Sequence, residues 1–212
     1  MVKMPLLKKH FPEMEDSILL KYEEMQELYL DWNQKINVIS RKDMDQFEER
    51  HILHSLAIVK LKLLKPGHEV MDLGAGGGFP GIPLAIYYPE VQFTLVDSIR
   101  KKTVVMQEVV NALGLKNVTV INGRAEELKQ KFNFIVCRAV APLIKLSLWT
   151  YKSIDKSKRD HGLICLKGGD LSAETKEFEK KYKNVQVITY KLTDYYSEEF
   201  FETKKIVRVL NY

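Results

Sequence analysis

The sequence predicts an α/β protein: a mostly parallel sheet covered by helices, ending in an antiparallel hairpin and preceded by a helical appendage. Three observations carry this. From Glu69 onward, short apolar runs alternate with helical stretches, as in a parallel sheet whose strands are joined by crossover helices. Before Glu69, apolar residues recur at spacings of three and four, which marks amphipathic helices. After residue 185, two β-rich runs flank the segment TDYYSEEFFET, where no helix fits, so the runs are expected to pair with each other at one sheet edge.

The first expected helix starts at Asp16. Ile18, Leu19, Tyr22, Met25, Leu28, Tyr29 and Trp32 form its apolar face, and Asp16-Ser17 offers an N-cap. A second is expected over 43–64, with Phe47, Ile52, Leu53, Leu56, Ile58 and Leu61 facing inward and Pro66-Gly67 stopping it. Strands follow at 69–73, 92–97, 118–122, 134–137 and 162–167, with helices near 81–87, 100–113, 124–130 and 142–154. The hairpin strands are expected at 185–192 and 204–210, and 152–159 reads as a basic loop. This divides the chain into a helical segment, 1–66, packed on a main domain, 67–212.

Composition narrows the class. Of 212 residues, 45% are hydrophobic and 29% charged, enough apolar material for one sizeable core. The formal net charge of +5 suits a polyanionic partner such as RNA without demanding one. Cys137 and Cys165 lie in the apolar runs FIVC and LICL, with no metal-ligand spacing. They would pair only on adjacent strands with aligned side chains, so both are expected to be reduced and the protein cytoplasmic. The N-terminal residues lack a signal-like apolar stretch, and no run approaches the roughly 18 apolar residues of a membrane span.

The strongest local signal is the stretch DLGAGGGFPG from Asp72 to Gly81, between a strand and a helix. Five glycines within eight residues carry a conformational-entropy cost that close approach of a ligand to the backbone would explain. No Gly-Lys-Ser/Thr follows, which excludes a nucleoside-triphosphate P-loop. Gly76, Gly78 and Gly81 also match the dinucleotide pattern GxGxxG, a weak signal alone. Asp72 two residues before Gly74 gives DxGxGxG instead, with the first glycine at the strand end. Asp97, 23 residues after Gly74, ends the next strand, where a carboxylate accepts from ribose hydroxyls or caps the following helix; Ser98 offers the same cap. Glu126, in Gly123-Arg124-Ala125-Glu126, reads by itself as a first-turn helix acid. Arg138 follows the fourth strand at the edge where open α/β sheets bind ligands, fit to grip a carboxylate, a phosphate or a guanine edge.

These pieces together resemble one family, the RsmG (GidB) type of 16S ribosomal RNA guanine-N7 methyltransferase. The residues that carry the match are WNQKIN from Trp32, Arg50-His51-Ile52, DLGAGGGFPGIPLA from Asp72, LVDS with Lys101-Lys102, GRAEEL from Gly123, CRAVAPL from Cys137 and Leu166-Lys167-Gly168. Cys137 and Asn133 depart from the family's usual serine and aspartate. The resemblance implies a class I S-adenosylmethionine-dependent (Rossmann-like) fold and S-adenosylmethionine as cofactor. By resemblance Asp72, Gly74, Gly76, Gly78, Phe79, Asp97, Ser98, Ala125, Glu126 and Arg138 form the cofactor site, with Phe79 either on the cofactor's rim or in the core. The implied partner is 16S rRNA or the small ribosomal subunit, with Arg41, Lys42, Arg50, His51, Arg100, Lys101, Lys102 and Lys167 as candidate RNA contacts. His51 otherwise serves within the appendage. The chain is expected to be a monomer without metal. Guanine N7 carries a lone pair and no proton, so the reaction asks for no general base, and no catalytic triad or metal cluster is apparent.

Overall fold

A computed structural model describes residues 3–210; the side chain of Arg41, one of the expected RNA contacts, lies outside the described residues. The seven strands are β1 (Glu69–Leu73), β2 (Gln92–Asp97), β3 (Val118–Asn122), β4 (Phe134–Arg138), β5 (Gly162–Gly168), β6 (Gln186–Lys191) and β7 (Lys204–Leu210). They form one sheet in the order β3-β2-β1-β4-β5-β7-β6. The first five run parallel, and β7 is antiparallel to both β5 and β6. The strand order reverses between β1 and β4, and open α/β sheets bind ligands at the carboxyl ends of strands flanking such a switch point. The expected hairpin is present, with Ile188 opposite Arg208 and Tyr190 opposite Ile206.

The described helices are α1 (Pro5–His10), α2 (Asp16–Lys35), α3 (Arg41–Met44), α4 (His54–Leu56), α5 (Gly81–Tyr87), α6 (Arg100–Ala112), α7 (Leu143–Thr150) and α8 (Ser172–Lys181). Several expectations need correction. The helix expected over 43–64 is a broken run: α3, a π-helical turn over Glu48–Leu53, α4, then a 3-10 turn over Ala57–Leu61 ending at Lys62, whose φ is +52°. The helix expected at 124–130 is a single 3-10 turn, Ala125–Glu127, and the one at 142–154 stops at Thr150. Two helices were not anticipated. α1 is only six residues long, and α8 (SAETKEFEKK) buries Phe178 alone, so neither shows a periodic apolar face. The N-cap of α2 is Glu15 rather than Asp16 or Ser17; Asp16 already belongs to the helix, and the Ser17 hydroxyl donates to Glu15.

The apolar residues divide between the two faces of the sheet. On one face Leu19, Tyr22, Met25 and Tyr29 of α2, with Phe47 and Ile52, join Phe79, Ile82 and the side chains of β1 and β2 in one continuous core. On the other, Leu143 and Leu146 of α7 and Phe178 of α8 cover Ile135, Leu163 and Val207. The helical segment 1–66 therefore shares a core with the sheet instead of owning one. Two tyrosines pin it: Tyr22 donates to the Pro83 carbonyl at 2.9 Å and Tyr29 to the Gly77 carbonyl. Cys137 and Cys165 face each other on β4 and β5 with sulfurs 3.3 Å apart. The sequence argument against pairing thus fails on geometry, though both are free, buried thiols.

Candidate functional site

The glycine loop leaves β1 at the switch point, and its glycines serve different neighbours. Gly74 has φ +64°, and a Cβ there would lie 3.0 Å from Val140, so this glycine keeps the loop pressed to the end of β4. A Cβ on Gly78 would instead lie 2.5 Å from Ile82 and 3.0 Å from the Tyr29 hydroxyl. Gly78 thus packs closely against α5 and α2, and it is not among the residues lining either cleft described below. Asp72 is fully buried beneath the loop. Its Oδ2 accepts from the Gly81 amide at 2.7 Å, while Oδ1 is buried without a hydrogen-bond partner. Burial pushes its carboxyl up to about 7, opposed by the Gly81 hydrogen bond and by Arg138. Asp72 braces the start of α5 and does not line either cleft described below.

One cleft opens over the ends of β1, β2 and β3. Its lining includes Gly74, Asp97, Ser98, Ala125, Glu126 and Val140. Asp97 accepts from the Gly76 amide through Oδ2 and from the Ile99 amide through Oδ1, both at 2.8 Å. The α6 N-cap is Ile99, with no side-chain cap, so neither Asp97 nor Ser98 caps that helix. A carboxylate oxygen bonded once can still accept a further hydrogen bond, so Asp97 retains acceptor capacity in the cleft lining. Buried Ala125 and exposed Glu126 sit in the 3-10 turn after β3, apposed to Asp97 across the cleft. Paired acceptors at the end of β2, Gly74 in the lining and a turn offering backbone amides fit a nucleoside.

A second cleft lies on the other side of Val140, which lines both. It is bounded by Arg138, Pro142, Leu166, Lys167, Glu174 and Lys204, together with His54. Ala139 at its mouth has φ +52°, a left-handed conformation that turns the chain sharply as it leaves β4. Arg138 donates from Nη1 to the Arg50 carbonyl and from Nη2 to His51 Nδ1, both at 3.1 Å. Its guanidinium lies 4.9 Å from the centre of the Phe79 ring, and among the described residues no carboxylate pairs with it. Burial lowers Arg138 to about 10. His51 is driven down to about 3, by burial first and Arg138 second, so it is a neutral acceptor for the guanidinium. His51 Nδ1 is thus engaged within the fold.

Phe79 is 2% exposed and packs among Tyr29, Phe47 and His51. Its side chain is core, not cofactor rim, because α2 and the π turn close over it. Lys167 donates to the Ala141 carbonyl at 2.9 Å and pairs with Glu174 at 2.8 Å, and Arg50 pairs with Asp43 at 2.7 Å. Lys42, Arg100 and Lys101 are exposed, and Lys102 is half-buried. Sequence reasoning missed Val140, His54, Glu174 and Lys204. The Val140 segment carried a usable signal in CRAVAPL, and His54 adjoins Arg50-His51-Ile52, whereas Glu174 and Lys204 come from segments with no motif.

Comparison with known proteins bears on what the two clefts serve. Residues 18–201 match the family model described as rRNA small subunit methyltransferase G. The chain is 51% identical over 207 residues to the ribosomal RNA small subunit methyltransferase G of Christiangramia forsetii, covering 96% of this chain and 95% of that one. It is equally 51% identical over 207 residues to the protein of that name from Bacteroides thetaiotaomicron, covering 96% and 98%. Among solved structures, an Aquifex aeolicus SAM-dependent methyltransferase superposes with a TM-score of 0.56 at 18% identity, over 81% of this chain and 99% of that one. A fibrillarin–Nop5p complex gives a TM-score of 0.57 at 15% identity, over 77% and 85%. The last two show a shared class I methyltransferase fold, and the family match and close relatives settle the rest: this chain belongs to the rRNA small subunit methyltransferase G family.

Proposed function

We propose that this enzyme moves the methyl group of S-adenosylmethionine to N7 of one guanine in the 16S RNA of the small ribosomal subunit. The observation that carries the reading is the pair of clefts that meet at Val140, in a chain of this family. The nucleoside-fitting cleft would hold the cofactor, with Asp97 and Ser98 toward the ribose and Ala125 and Glu126 toward the adenine. Gly74 would line its path, with Gly76 in the same loop, and Arg138, which lines the neighbouring cleft and lacks a carboxylate partner, would hold the cofactor's carboxylate or an RNA phosphate. When bound, S-adenosylmethionine supplies an electrophilic methyl on a sulfonium sulfur.

The protein's own contribution is position and environment. Neutral guanine presents its N7 lone pair without deprotonation, so none of the titratable groups in the clefts is needed as a base. Fixing the acceptor against the donor supplies on the order of 7–11 kcal/mol of the barrier. Val140, Pro142, Leu166 and Leu171 give the second cleft an apolar wall against which a base would pack. An acceptor base in folded RNA must leave its stack to enter. Arg100 and Lys101 at the exposed start of α6, with Lys42 and Arg50 on the helical segment, would hold phosphates. We further propose that the protein acts as a monomer in the cytoplasm. In support, its exposed large apolar side chains, such as Leu20, Val104 and Leu148, are scattered over α2, α6 and α7, and among the described residues no helix is long and apolar enough to cross a membrane.

The test is transfer of labelled methyl to small subunits that lack their normal N7 methylation, followed by cleavage of the RNA at 7-methylguanine. One labelled, cleavable guanine is the expected result. Cofactor binding without any RNA labelling would discard the acceptor assignment.

A further inference from the structure

The second cleft contains a donor and an acceptor fixed side by side. Glu174 Oε1 is occupied twice, by the Leu143 amide at 2.6 Å and by Lys167 Nζ at 2.8 Å. Its Oε2 has no protein partner among the described hydrogen bonds, and the side chain keeps 22% of its exposure, at the cleft. Lys167 donates two of its three N–H bonds, to Ala141 and to Glu174, and is only 11% exposed. One ammonium N–H and one carboxylate oxygen are therefore left over, held next to each other by an ion pair that is itself anchored to two backbone groups. Glu174 is the only carboxylate among the residues that line this cleft.

We propose that Lys167 and Glu174 read the Watson–Crick edge of the acceptor guanine. This rests on the guanine-N7 reading above and deepens it. Guanine offers an acceptor, O6, beside two donors, N1–H and the N2 amine. The free Lys167 N–H matches the first and Glu174 Oε2 the second. Adenine presents the opposite order, an amine beside a bare ring nitrogen, and would set a lone pair against the carboxylate. Leu166, Leu171 and Pro142 supply apolar surface for the base. With that edge on Lys167 of β5 and Glu174 of α8, the imidazole end that carries N7 points away from Glu174, and the wall shared by the two clefts is Val140.

The same contact strengthens as the reaction proceeds. The N7 lone pair forms a bond to the methyl carbon while the carbon–sulfur pair returns to sulfur, leaving a neutral thioether and a cationic 7-methylguanine. Positive charge spreads into the purine and makes N1–H a better donor to Glu174. An interaction that gains strength toward the transition state raises kcat as well as binding.

The experiment measures methyl transfer to unmethylated small subunits carrying either guanine or adenine at the target position, for the unaltered protein, Glu174→Gln and Lys167→Met. Gln preserves the acceptor for Leu143 and Lys167 but turns an N–H toward guanine N1–H. The expected result for Glu174→Gln is a loss of roughly 10- to 100-fold in kcat/KM on guanine subunits, the scale of a good bidentate base contact, with part of the loss in kcat. S-adenosylhomocysteine affinity is expected to be unchanged, and the preference for guanine over adenine to narrow. Lys167→Met is expected to lose guanine activity in the same direction, which guards against a folding defect peculiar to one variant. Glu174→Gln that keeps full guanine activity and full preference overturns the proposal while leaving the methyltransferase reading intact. Absence of transfer by the unaltered protein overturns both.

Discussion

Asp72 is the side chain whose chemistry differs most from what its motif position suggests. A carboxylate before a glycine loop reads as a ligand contact, yet here it is sealed under the loop with one oxygen bonded to Gly81 and the other unpartnered. Its pKa of about 7 lies above the ordinary 3.8. Between those values the unfolded chain has released its proton and the folded chain has not, so the linkage lowers stability as pH rises from about 4 to about 7 and adds no slope outside that window. Asp72→Asn removes this titration while keeping an oxygen for the Gly81 amide. Relative to the unaltered protein, the variant's urea midpoint is expected to climb across that window; a difference independent of pH would show that Asp72 stays ionised in the fold. Arg138 and His51 teach the complementary lesson. Arg138 was legible as functional from its place after β4, but its dependence on a neutral histidine from another segment is a contact that no single motif contains.

At the scale of elements, the main link is between α2 and the glycine loop. Tyr29 donates to the Gly77 carbonyl, and the same ring packs on Phe79 and Phe47. Tyr29→Phe keeps the packing and strands a buried carbonyl, a cost of about 1–3 kcal/mol. We expect lower urea stability together with weaker S-adenosylhomocysteine binding by titration calorimetry, because Gly74 and Gly76 belong to the same loop. Undiminished affinity would mean that the loop holds its shape without α2. The parallel strands were legible to within a residue because each is an apolar run bounded by turn residues. The 43–64 region was not. Its apolar residues do recur at helical spacing, but Arg138 takes the Arg50 carbonyl inside the π turn, and that tertiary contact accompanies a hydrogen-bonding pattern that periodicity cannot express. α8 was hidden for the opposite reason: it covers the sheet with one aromatic residue, and propensity alone marks it.

For the whole molecule, the sequence suggested a segment, 1–66, set on a domain, 67–212. We propose that this boundary separates functions without separating folding units. Phe79, Ile82 and Leu84 share one core with Tyr22, Met25, Tyr29 and Ile52, so removing residues 1–66 would bare that face of the sheet. A 67–212 fragment is expected to be insoluble or to lack a cooperative thermal transition by circular dichroism; a sharp transition would show that the sheet and its remaining helices fold alone. The candidate site follows the same rule. The cleft over the ends of β1, β2 and β3 was largely readable because its residues fall in motifs at strand ends. The second cleft was so only in part: Arg138, Pro142, Leu166 and Lys167 fall in motifs, whereas Glu174 and Lys204 come from distant stretches that only the closed sheet brings together.

The placement of β7 has a consequence for how the protein is made. Residues 204–210 lie between β5 and β6, yet the ribosome synthesises them after both. Until they emerge, β5 presents an open edge and β6 has no neighbour to pair with, while β1 to β4 can already assemble. The nascent chain therefore passes through a stage with one raw sheet border beside the second cleft. Lys204, on that last strand, also lines the cleft, so the site is completed only when the sheet is.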